Sequence, residues 1–317
     1  MITPALIEEL RGIVGPANVL ISPEAITAYE CDAYTAMKGR AEAIVIPERG
    51  EHVAPVVRAL ARAGAPFLPR GAGTGLAGGV YVARGGVVLS LARLQRVLEL
   101  NPADGYALVE PGVVNLHLTR AAEPGGFAYA PDPSSQSACT IGGNIANNSG
   151  GPHTLKMGVT TNHVLGLEIV LPDGEVVTLG GPCEDAPGLD LRGLLVGSEG
   201  TLGVVTKAWV RLTPVAPAWR TLLAVFPTFE GAMRGVSTII GAGIVPAALE
   251  LMDHLIITAV EAAFRIGLPL DAGAVLLIEL DGMAEGLDRL AERVGDLVRG
   301  QGATEVRSAR TPEERAG

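Results

Sequence analysis

The sequence predicts an α+β protein made of two successive regions, and three observations support this. Residues 43–68 have the pattern of a strand, a helix and a second strand, with apolar residues at helical spacing between two extended runs. Residues 86–212 consist of short strands and turns, including a hairpin signal at Pro172-Asp173-Gly174. After residue 217 strands and helices alternate, which is typical of a compact, ferredoxin-like α+β layer.

The spacing of apolar residues and the residues that cap helices predict where the individual helices and strands lie. Residues 3–15 predict a helix, and Ser22-Pro23 begins another, because serine caps helices and proline suits the first helical position. The last region predicts four strands and three helices, with strands at 221–226, 247–251, 274–280 and 304–307 and helices at 229–241, 253–266 and 284–299. Thr311-Pro312-Glu313-Glu314 is a capping box that announces a further helix, so we expect either a free polar tail or part of a longer polypeptide.

Composition excludes several classes of protein. The 317 residues carry a formal net charge of −10 without any cluster of lysine and arginine, which argues against nucleic acid as a partner. The three cysteines, Cys31, Cys139 and Cys183, share no metal-type spacing, and no histidine pair does so either, so no metal site is expected. Neither a signal peptide nor an uninterrupted apolar span is recognisable, and we expect a cytoplasmic protein.

The most informative segment is the glycine run from Pro69 to Gly79, which has five glycines in the nine residues 71–79. Such a backbone adopts positive φ readily and can turn successive N–H groups toward one anion. A flexible connecting loop is the plainer alternative. A Rossmann site is excluded because no helix pattern follows Gly78, and a P-loop is excluded because no Lys-Ser or Lys-Thr follows the glycines.

Two further segments are, like the glycine run, rich in glycine and suited to binding a polar ligand. Residues 131–151 are dense in hydroxyl, amide and glycine groups, and residues 197–206 form a glycine turn that enters a strand. Both suit a polar ligand with many acceptors that approaches the main chain closely. Turn chemistry alone could explain either segment, but not easily all three segments in this order.

With these three segments the chain resembles the FAD-binding flavoproteins of the vanillyl-alcohol oxidase and p-cresol methylhydroxylase type, in the branch of glycolate oxidase subunits and FAD-linked D-lactate dehydrogenases. The motifs are Pro-Arg-Gly-Ala-Gly-Thr-Gly at 69–75, Thr-Ile-Gly-Gly-Asn-Ile-Ala-Asn-Asn-Ser-Gly-Gly at 140–151 and Gly-Ser-Glu-Gly-Thr-Leu-Gly at 197–203. The resemblance implies an N-terminal helical segment over 1–38, a two-subdomain FAD-binding domain over 39–212 and an incomplete ferredoxin-like cap, which holds the substrate, over 213–317.

The resemblance also implies which residues bind FAD. The diphosphate would be wrapped by the loop residues Arg70, Gly71, Ala72, Gly73, Thr74, Gly75 and Leu76. The second segment would run past the flavin and the diphosphate with Pro133, Ser134, Ser135, Cys139, Thr140, Gly142 and Gly143, and add donors at Asn147, Asn148, Ser149 and Gly150. The adenine and ribose would be approached by Glu199, Gly200, Gly203 and Val205.

The activity implied is FAD-dependent oxidation of a 2-hydroxy acid, with hydride transfer to the flavin. No catalytic residue is assigned, since the histidine-rich motif of the family has no counterpart here, and the chain as it stands is expected to be a poor catalyst. A non-catalytic FAD-binding subunit or a fragment of such an oxidase is the alternative. A second alternative is a related flavoprotein that reduces an enol ether in cell-wall synthesis, but the Asn-Asn-Ser-Gly-Gly stretch fits that enzyme poorly. Partner subunits of an oxidase complex, and through them a peripheral membrane position, are also implied.

Two histidines follow the second segment. His153 and His163 flank Lys156, and each could serve the flavin or substrate site or simply form hydrogen bonds within its loop. His52, His117 and His254 are expected to be surface or satisfied polar residues.

Overall fold

The computed structural model describes residues 2–83, 85–183 and 188–309. The chain divides into two units, and the division does not follow the sequence strictly. The first unit contains Met1–Gly151 and Val159–Pro214. The second unit contains Val215–Gly317 together with the short segment Pro152–Gly158. Thr311 and the rest of the predicted capping box lie outside the described residues.

The first unit begins with a small, mostly parallel sheet. Its elements are α1 (Pro4–Val14), β1 (Val19–Leu20), α2 (Pro23–Thr27), β2 (Ala43–Val45), α3 (Val53–Arg62), β3 (Phe67–Arg70) and β4 (Val87–Ser90). The strand order is β1-β2-β4-β3, and only β1 runs antiparallel to its neighbour. The N-cap predicted at Ser22 is formed, since Ser22 Oγ accepts from the backbone of Ala25 at 3.3 Å. Thr3, which was not predicted as a cap, is the N-cap of α1. Leu10, Val57 and Leu60 are fully buried in the shared core.

The connection from β3 to β4 contains the glycine run. Because the two strands are parallel neighbours, the chain must return from the end of one to the start of the other. It does so through residues 71–86 without a helix in the described part of the connection, as the rejection of a Rossmann site predicted. The run therefore lies at the carboxyl end of a parallel strand, where ligands commonly bind in open α/β sheets.

The rest of the first unit is built on an antiparallel sheet. Between residues 97 and 214 the chain forms β5 (Val97–Asn101), β6 (Tyr106–Val109), α4 (Asn115–Ala122), β7 (Phe127–Ala128), α5 (Ile141–Asn147), α6 (Thr154–Met157, in the second unit), β8 (Val164–Val170), β9 (Val176–Gly180), α7 (Leu191–Leu195), β10 (Val204–Arg211) and β11 (Thr213–Pro214). The order is β5-β6-β10-β8-β9, with β8 and β9 forming the predicted hairpin. Fully buried Leu118, Ile141 and Leu167 join α4 and α5 to this sheet.

The second unit has the predicted ferredoxin-like layer. Its elements are β12 (Ala218–Phe226), α8 (Phe229–Gly241), β13 (Ala248–Asp253), α9 (His254–Phe264), β14 (Ala274–Gly282), α10 (Ala284–Gly300) and β15 (Glu305–Ala309). The order β13-β14-β12-β15, with every neighbouring pair antiparallel, is that of a ferredoxin-like sheet with α9 inserted before the third strand. Phe226, Ile239 and Val294 are fully buried and join α8 and α10 to it.

None of the helices in the described residues is long and apolar enough to cross a bilayer.

Candidate functional site

The three glycine-rich segments meet around one cavity of about 410 Å³ in the first unit. The predicted ligand-binding residues that line it are Arg70, Gly71, Ala72, Gly73, Thr74, Gly75, Leu76, Pro133, Ser135, Cys139, Thr140, Gly142, Gly143, Asn147, Asn148, Ser149, Gly150, Glu199, Gly200, Gly203 and Val205. Ser134 is exposed and does not line it. The fold thus brings all but one of these residues together, and their contact with a cofactor stays a prediction.

The glycine loop presents a run of backbone donors to the cavity. Residues 71–77 all line it, and within the described part of the chain their N–H groups have no recorded acceptor. The next amide, that of Gly78, donates instead to Asp32 Oδ2 at 2.9 Å. Positive φ was expected repeatedly in the run, and among its five glycines it occurs at Gly73 and Gly78 only. Successive free amides with an intervening positive φ form the kind of concavity that binds anions.

Glycine, which has no side chain, allows the three segments to approach one another. A β-carbon on Gly71 would lie 2.5 Å from Thr140 Oγ1, at the start of α5. A β-carbon on Gly200, whose φ is +74°, would lie 2.4 Å from Pro69 Cγ. Both distances are shorter than any real contact between such atoms, so both positions require glycine. The third segment is also tied to α5, since the Glu199 amide donates to the Ala146 carbonyl at 2.9 Å.

Arg70, at the start of the loop, is held by contacts of its side chain with the protein. Its side chain is buried, its Nη1 donates to the Cys31 carbonyl at 2.9 Å, and its guanidinium lies 5.5 Å from the centre of the Tyr29 ring. Burial lowers the pKa of Arg70 from its ordinary value, which is high enough for the group to remain a cation. The side chain is thus engaged with the protein, while its backbone continues into the free amides.

Asp32 is the most informative residue that the sequence did not single out. Its carboxylate is buried, lines the cavity and accepts from the backbone of Tyr34 at 2.8 Å as well as from Gly78. The neighbouring Ala33 amide donates to the Gly75 carbonyl at 3.0 Å. The segment around Asp32 therefore holds the second half of the glycine loop. No spacing rule connects an aspartate to a loop more than forty residues later.

Other lining residues also escaped sequence reasoning. They are Pro69, Ala77, Gly79, Val80, Leu91, Pro111, Asn144, Ile145, Ala146, Leu195 and Ser198. Most of them stand within or beside the three segments, so closer attention to the neighbours of each motif would have found them. Leu91 and Pro111 lie outside these segments, and only the sheet topology brings them to the cavity.

Asn144 and Cys139 are also buried in the cavity wall. Asn144 is 1% exposed, and its Nδ2 has no hydrogen-bond partner among the described residues. A buried donor without a partner is costly, so it indicates a site where a ligand atom can accept. Cys139 is also buried, and burial raises the pKa of its thiol.

The two candidate histidines lie elsewhere. His163 is buried against Tyr129 in an edge-to-face contact with ring centres 6.3 Å apart. His153 belongs to the second unit, where its Nε2 lies 3.1 Å from Glu279 Oε2. In the same unit Lys156 forms an ion pair with Asp281. Neither histidine lines the cavity of the first unit. Nδ1 of His254 lies 3.1 Å from the Ala272 carbonyl oxygen.

Comparison with known families matches both parts of the chain. A model described as the FAD binding domain matches residues 41–180. A model described as the C-terminal domain of FAD linked oxidases matches residues 216–317.

Curated relatives point the same way. The chain is 45% identical to the glycolate oxidase subunit GlcD of Escherichia coli over 306 residues, which cover 96% of this chain and 61% of the relative. It is 40% identical to the glycolate oxidase subunit GlcD of Bacillus subtilis, covering 99% of this chain and 67% of the relative. It is 32% identical to a D-lactate dehydrogenase of Anaerostipes hadrus, covering 98% of this chain and 67% of the relative. The chain thus spans about three fifths to two thirds of the length of these proteins.

Solved structures show the same fold at low identity. An alkyldihydroxyacetonephosphate synthase superposes with a TM-score of 0.83 at 20% identity, over 98% of this chain and 61% of that chain. A p-cresol methylhydroxylase superposes with a TM-score of 0.75 at 18% identity, over 99% of this chain and 66% of that chain. The predicted p-cresol methylhydroxylase type of fold is confirmed.

Proposed function

Since this chain belongs to the family of FAD-linked oxidases, we propose that its cavity binds FAD for the oxidation of a 2-hydroxy acid of the glycolate or D-lactate type. FAD is the cofactor that the matched domain and the family share. The site residues predicted from the sequence, Ser134 excepted, are proposed as the cofactor contacts.

The observation that carries this proposal is the run of unengaged amides at residues 71–77. FAD contains a diphosphate, and backbone N–H groups bind such an anion without a cationic side chain. Only Asp32, Arg70 and Glu199 carry charge among the described lining residues, and the arginine is already engaged with Cys31 and Tyr29. We therefore expect the loop to bind the diphosphate through its main-chain N–H groups.

The remaining wall also fits a cofactor with many acceptor atoms. The free Nδ2 of Asn144 can donate to one of them from a fully buried position. Ser135 and Thr140 add hydroxyl groups, and Gly142 and Gly143 bring the backbone of α5 to the cavity wall. A β-carbon on Gly142 would already lie 2.7 Å from Pro111, so a larger residue there would also displace the wall.

The proposed reaction converts the alcohol to a 2-oxo acid. When bound, FAD supplies the oxidant, because it takes up the hydride that leaves the hydroxyl-bearing carbon. The hydroxyl proton must pass to a base, and no residue of the cavity is assigned that role. The proposed part of this chain is to hold and orient the cofactor, through the amides of residues 71–77 and the buried donors of α5.

The names of the relatives support the substrate class and a multi-subunit setting. Two are glycolate oxidase subunits, one is a D-lactate dehydrogenase, and a D-2-hydroxyglutarate dehydrogenase of Stutzerimonas stutzeri is 33% identical over 271 residues. We propose that the chain takes a small 2-hydroxy acid and works with partner subunits of an oxidase complex, which would also provide any peripheral membrane association.

The test is anaerobic titration of the purified, FAD-loaded protein with glycolate, D-lactate and D-2-hydroxyglutarate, with L-lactate as the stereochemical control. Loss of the oxidised flavin absorbance with a D-hydroxy acid or glycolate, and formation of the matching 2-oxo acid, supports the oxidase. Because the chain is expected to be a poor catalyst, the spectra are followed for hours after each addition. A flavin spectrum that stays unchanged over that time with every substrate contradicts the oxidase and favours the alternative, a non-catalytic FAD-binding subunit. A colourless protein that does not retain added FAD contradicts both.

A further inference from the structure

A short segment of the second unit interrupts the chain directly beside the cavity wall. Residues 148–150 line the cavity of the first unit. Pro152–Gly158, here called the inserted segment, belongs to the second unit, whereas the residues immediately before and after it belong to the first. The chain therefore leaves the cavity wall, becomes part of the second unit for seven residues and returns. Whatever holds the inserted segment can restrain the wall through these covalent connections.

Hydrogen bonds fasten the end of the inserted segment to the cavity wall. The amide and Oγ1 of Thr160 both donate to the Ser149 carbonyl, at 3.0 and 2.8 Å. The Thr161 amide donates to Asn148 Oδ1 at 2.9 Å. Thr160 is fully buried, and Asn148 has a left-handed backbone with a φ of +47°. The residues that follow the inserted segment thus hold two wall residues that precede it, one of them in a sparsely populated conformation.

Two polar contacts hold the inserted segment within the second unit. Nε2 of His153 lies 3.1 Å from Glu279 Oε2, and Lys156 forms an ion pair with Asp281. The two carboxylates are two residues apart on β14, so they share one face of the sheet. Each of these side chains is only 7% exposed. Because a buried carboxylate is costly to separate from its cationic partner, the contacts favour one position of the segment on the strand.

Apolar packing contributes little to this attachment. None of the seven residues 152–158 is buried, and the side chain of Leu155 is about half exposed. The two polar contacts therefore dominate the attachment of the inserted segment. Only three residues separate Ser149 from His153, so a displacement of the segment is transmitted to the cavity wall over a short length of backbone.

We propose that His153 and Lys156 are positioning residues for the cofactor cavity. Their contacts with β14 anchor the inserted segment, and the anchored segment keeps Asn148 and Ser149 in the conformation that forms the cavity wall. This inference rests on the proposed binding of FAD in the cavity. Neither His153 nor Lys156 lines the cavity, so both act on the cofactor through the backbone that connects them to the wall.

The first test removes one anchor and keeps the length of the side chain. Lys156→Met removes the cation that Asp281 binds, and its affinity for FAD in isothermal titration is expected to fall about three- to tenfold. The reason is that a wall no longer held in place must be ordered when the ligand binds. Lys156→Arg keeps the ion pair and is expected to retain most of the wild-type affinity. Asp281→Asn removes the same ion pair, so the double variant Lys156→Met/Asp281→Asn should lose no more affinity than the weaker-binding single variant.

Hydrogen exchange in the ligand-free protein measures the wall directly. The amides of Thr160 and Thr161 donate to the wall residues, and the Ser149 amide donates to the Asn144 carbonyl at 3.0 Å. These three amides are expected to exchange faster in Lys156→Met than in the wild type, and at wild-type rates in Lys156→Arg. The measurement needs no ligand. If the wild-type protein binds no FAD, the proposed function has failed, and the exchange rates still show whether the inserted segment positions the wall.

The matched control breaks a different ion pair of the second unit. Arg220 Nε lies 2.6 Å from Asp288 Oδ1, and this pair joins β12 to α10 without involving the inserted segment. Arg220→Met is expected to lower thermal stability and to leave FAD affinity and the three exchange rates at wild-type values. Wild-type affinity and exchange rates in both Lys156→Met and His153→Ala overturn the inference. An equal loss of affinity in Arg220→Met also overturns it, because the general stability of the second unit would then be the cause.

Discussion

The guanidinium of Arg70 occupies the space beside the α-carbon of Gly73, where a β-carbon would approach Nη2 to 2.2 Å. Gly73 also has a φ of +72°, so two independent reasons require glycine there. Gly75, two residues later, has neither a positive φ nor a close neighbour, because its β-carbon would find only Asp32 Oδ2 at 3.9 Å. The two glycines therefore have different roles in the same loop.

The first prediction separates folding of the loop from ligand binding. Gly73→Ala is expected to destabilise the ligand-free protein by about 1–3 kcal/mol, because it strains the backbone and collides with Arg70. Gly75→Ala is expected to leave the ligand-free stability unchanged and to weaken FAD binding, because its β-carbon would enter the cavity. Thermal unfolding without FAD and titration with FAD measure the two effects. Gly75→Ala with wild-type affinity would show that the loop is only a connector.

The second prediction is that FAD binds without a covalent bond. Cys139 is the thiol that lines the cavity within the described chain, and burial raises its pKa, so little of the nucleophilic thiolate exists at neutral pH. Acid precipitation is expected to leave the protein pellet colourless and the flavin in the supernatant. A yellow pellet from the wild-type protein would contradict this prediction. If the pellet of Cys139→Ser were also yellow, another residue would carry the flavin; if it were colourless, Cys139 would carry it.

Much of the fold was predictable because its elements carry strong local signals. The helix predicted at 229–241 spans those residues, and the hairpin at Pro172-Asp173-Gly174 forms as expected. The predicted element order of the second unit is confirmed as well. The short helix α5 was not predicted, since Gly142 and Gly143 are poor helix formers and only packing and the Thr140 cap stabilise that turn.

The site was predictable from its glycine and small polar residues. The residues from distant segments that hold these loops in place were not predictable. Contacts that join distant segments, such as the Asp32 carboxylate to the Gly78 amide, leave no periodicity in the sequence. The same is true of Asn144, whose burial depends on how α5 packs. The contact of the Arg70 side chain with the Cys31 carbonyl was not predicted either, because it joins segments 39 residues apart.

The third prediction concerns ionic strength. The cavity has one cationic lining residue among those described, Arg70, and its guanidinium already binds the Cys31 carbonyl. Binding of the diphosphate through neutral amides should respond weakly to salt. Raising the KCl concentration from about 0.05 to 0.5 M is expected to change the dissociation constant of FAD by less than about threefold. A steep loss of affinity with salt would show that a cationic side chain outside the described lining residues neutralises the ligand.

The last prediction tests whether Asp32 holds the glycine loop in its binding conformation. Its buried carboxylate accepts from the amides of Tyr34 and Gly78, so Asp32→Ala leaves two backbone donors without their partner. We expect a loss of about 1–2 kcal/mol in unfolding free energy, because two hydrogen bonds to a charged acceptor are lost while the partly buried donors can turn to water. FAD affinity should fall too, because the free loop must be ordered again on binding. Asp32→Asn keeps one acceptor oxygen, so it should lose less unfolding free energy and less FAD affinity than Asp32→Ala. Hydrogen exchange localises the effect. Faster exchange confined to the hydrogen-bonded amides of Ala33, Tyr34 and Gly78 supports a clamp on the loop. Uniform acceleration throughout the first unit would show that Asp32 stabilises the fold generally and does not position this loop.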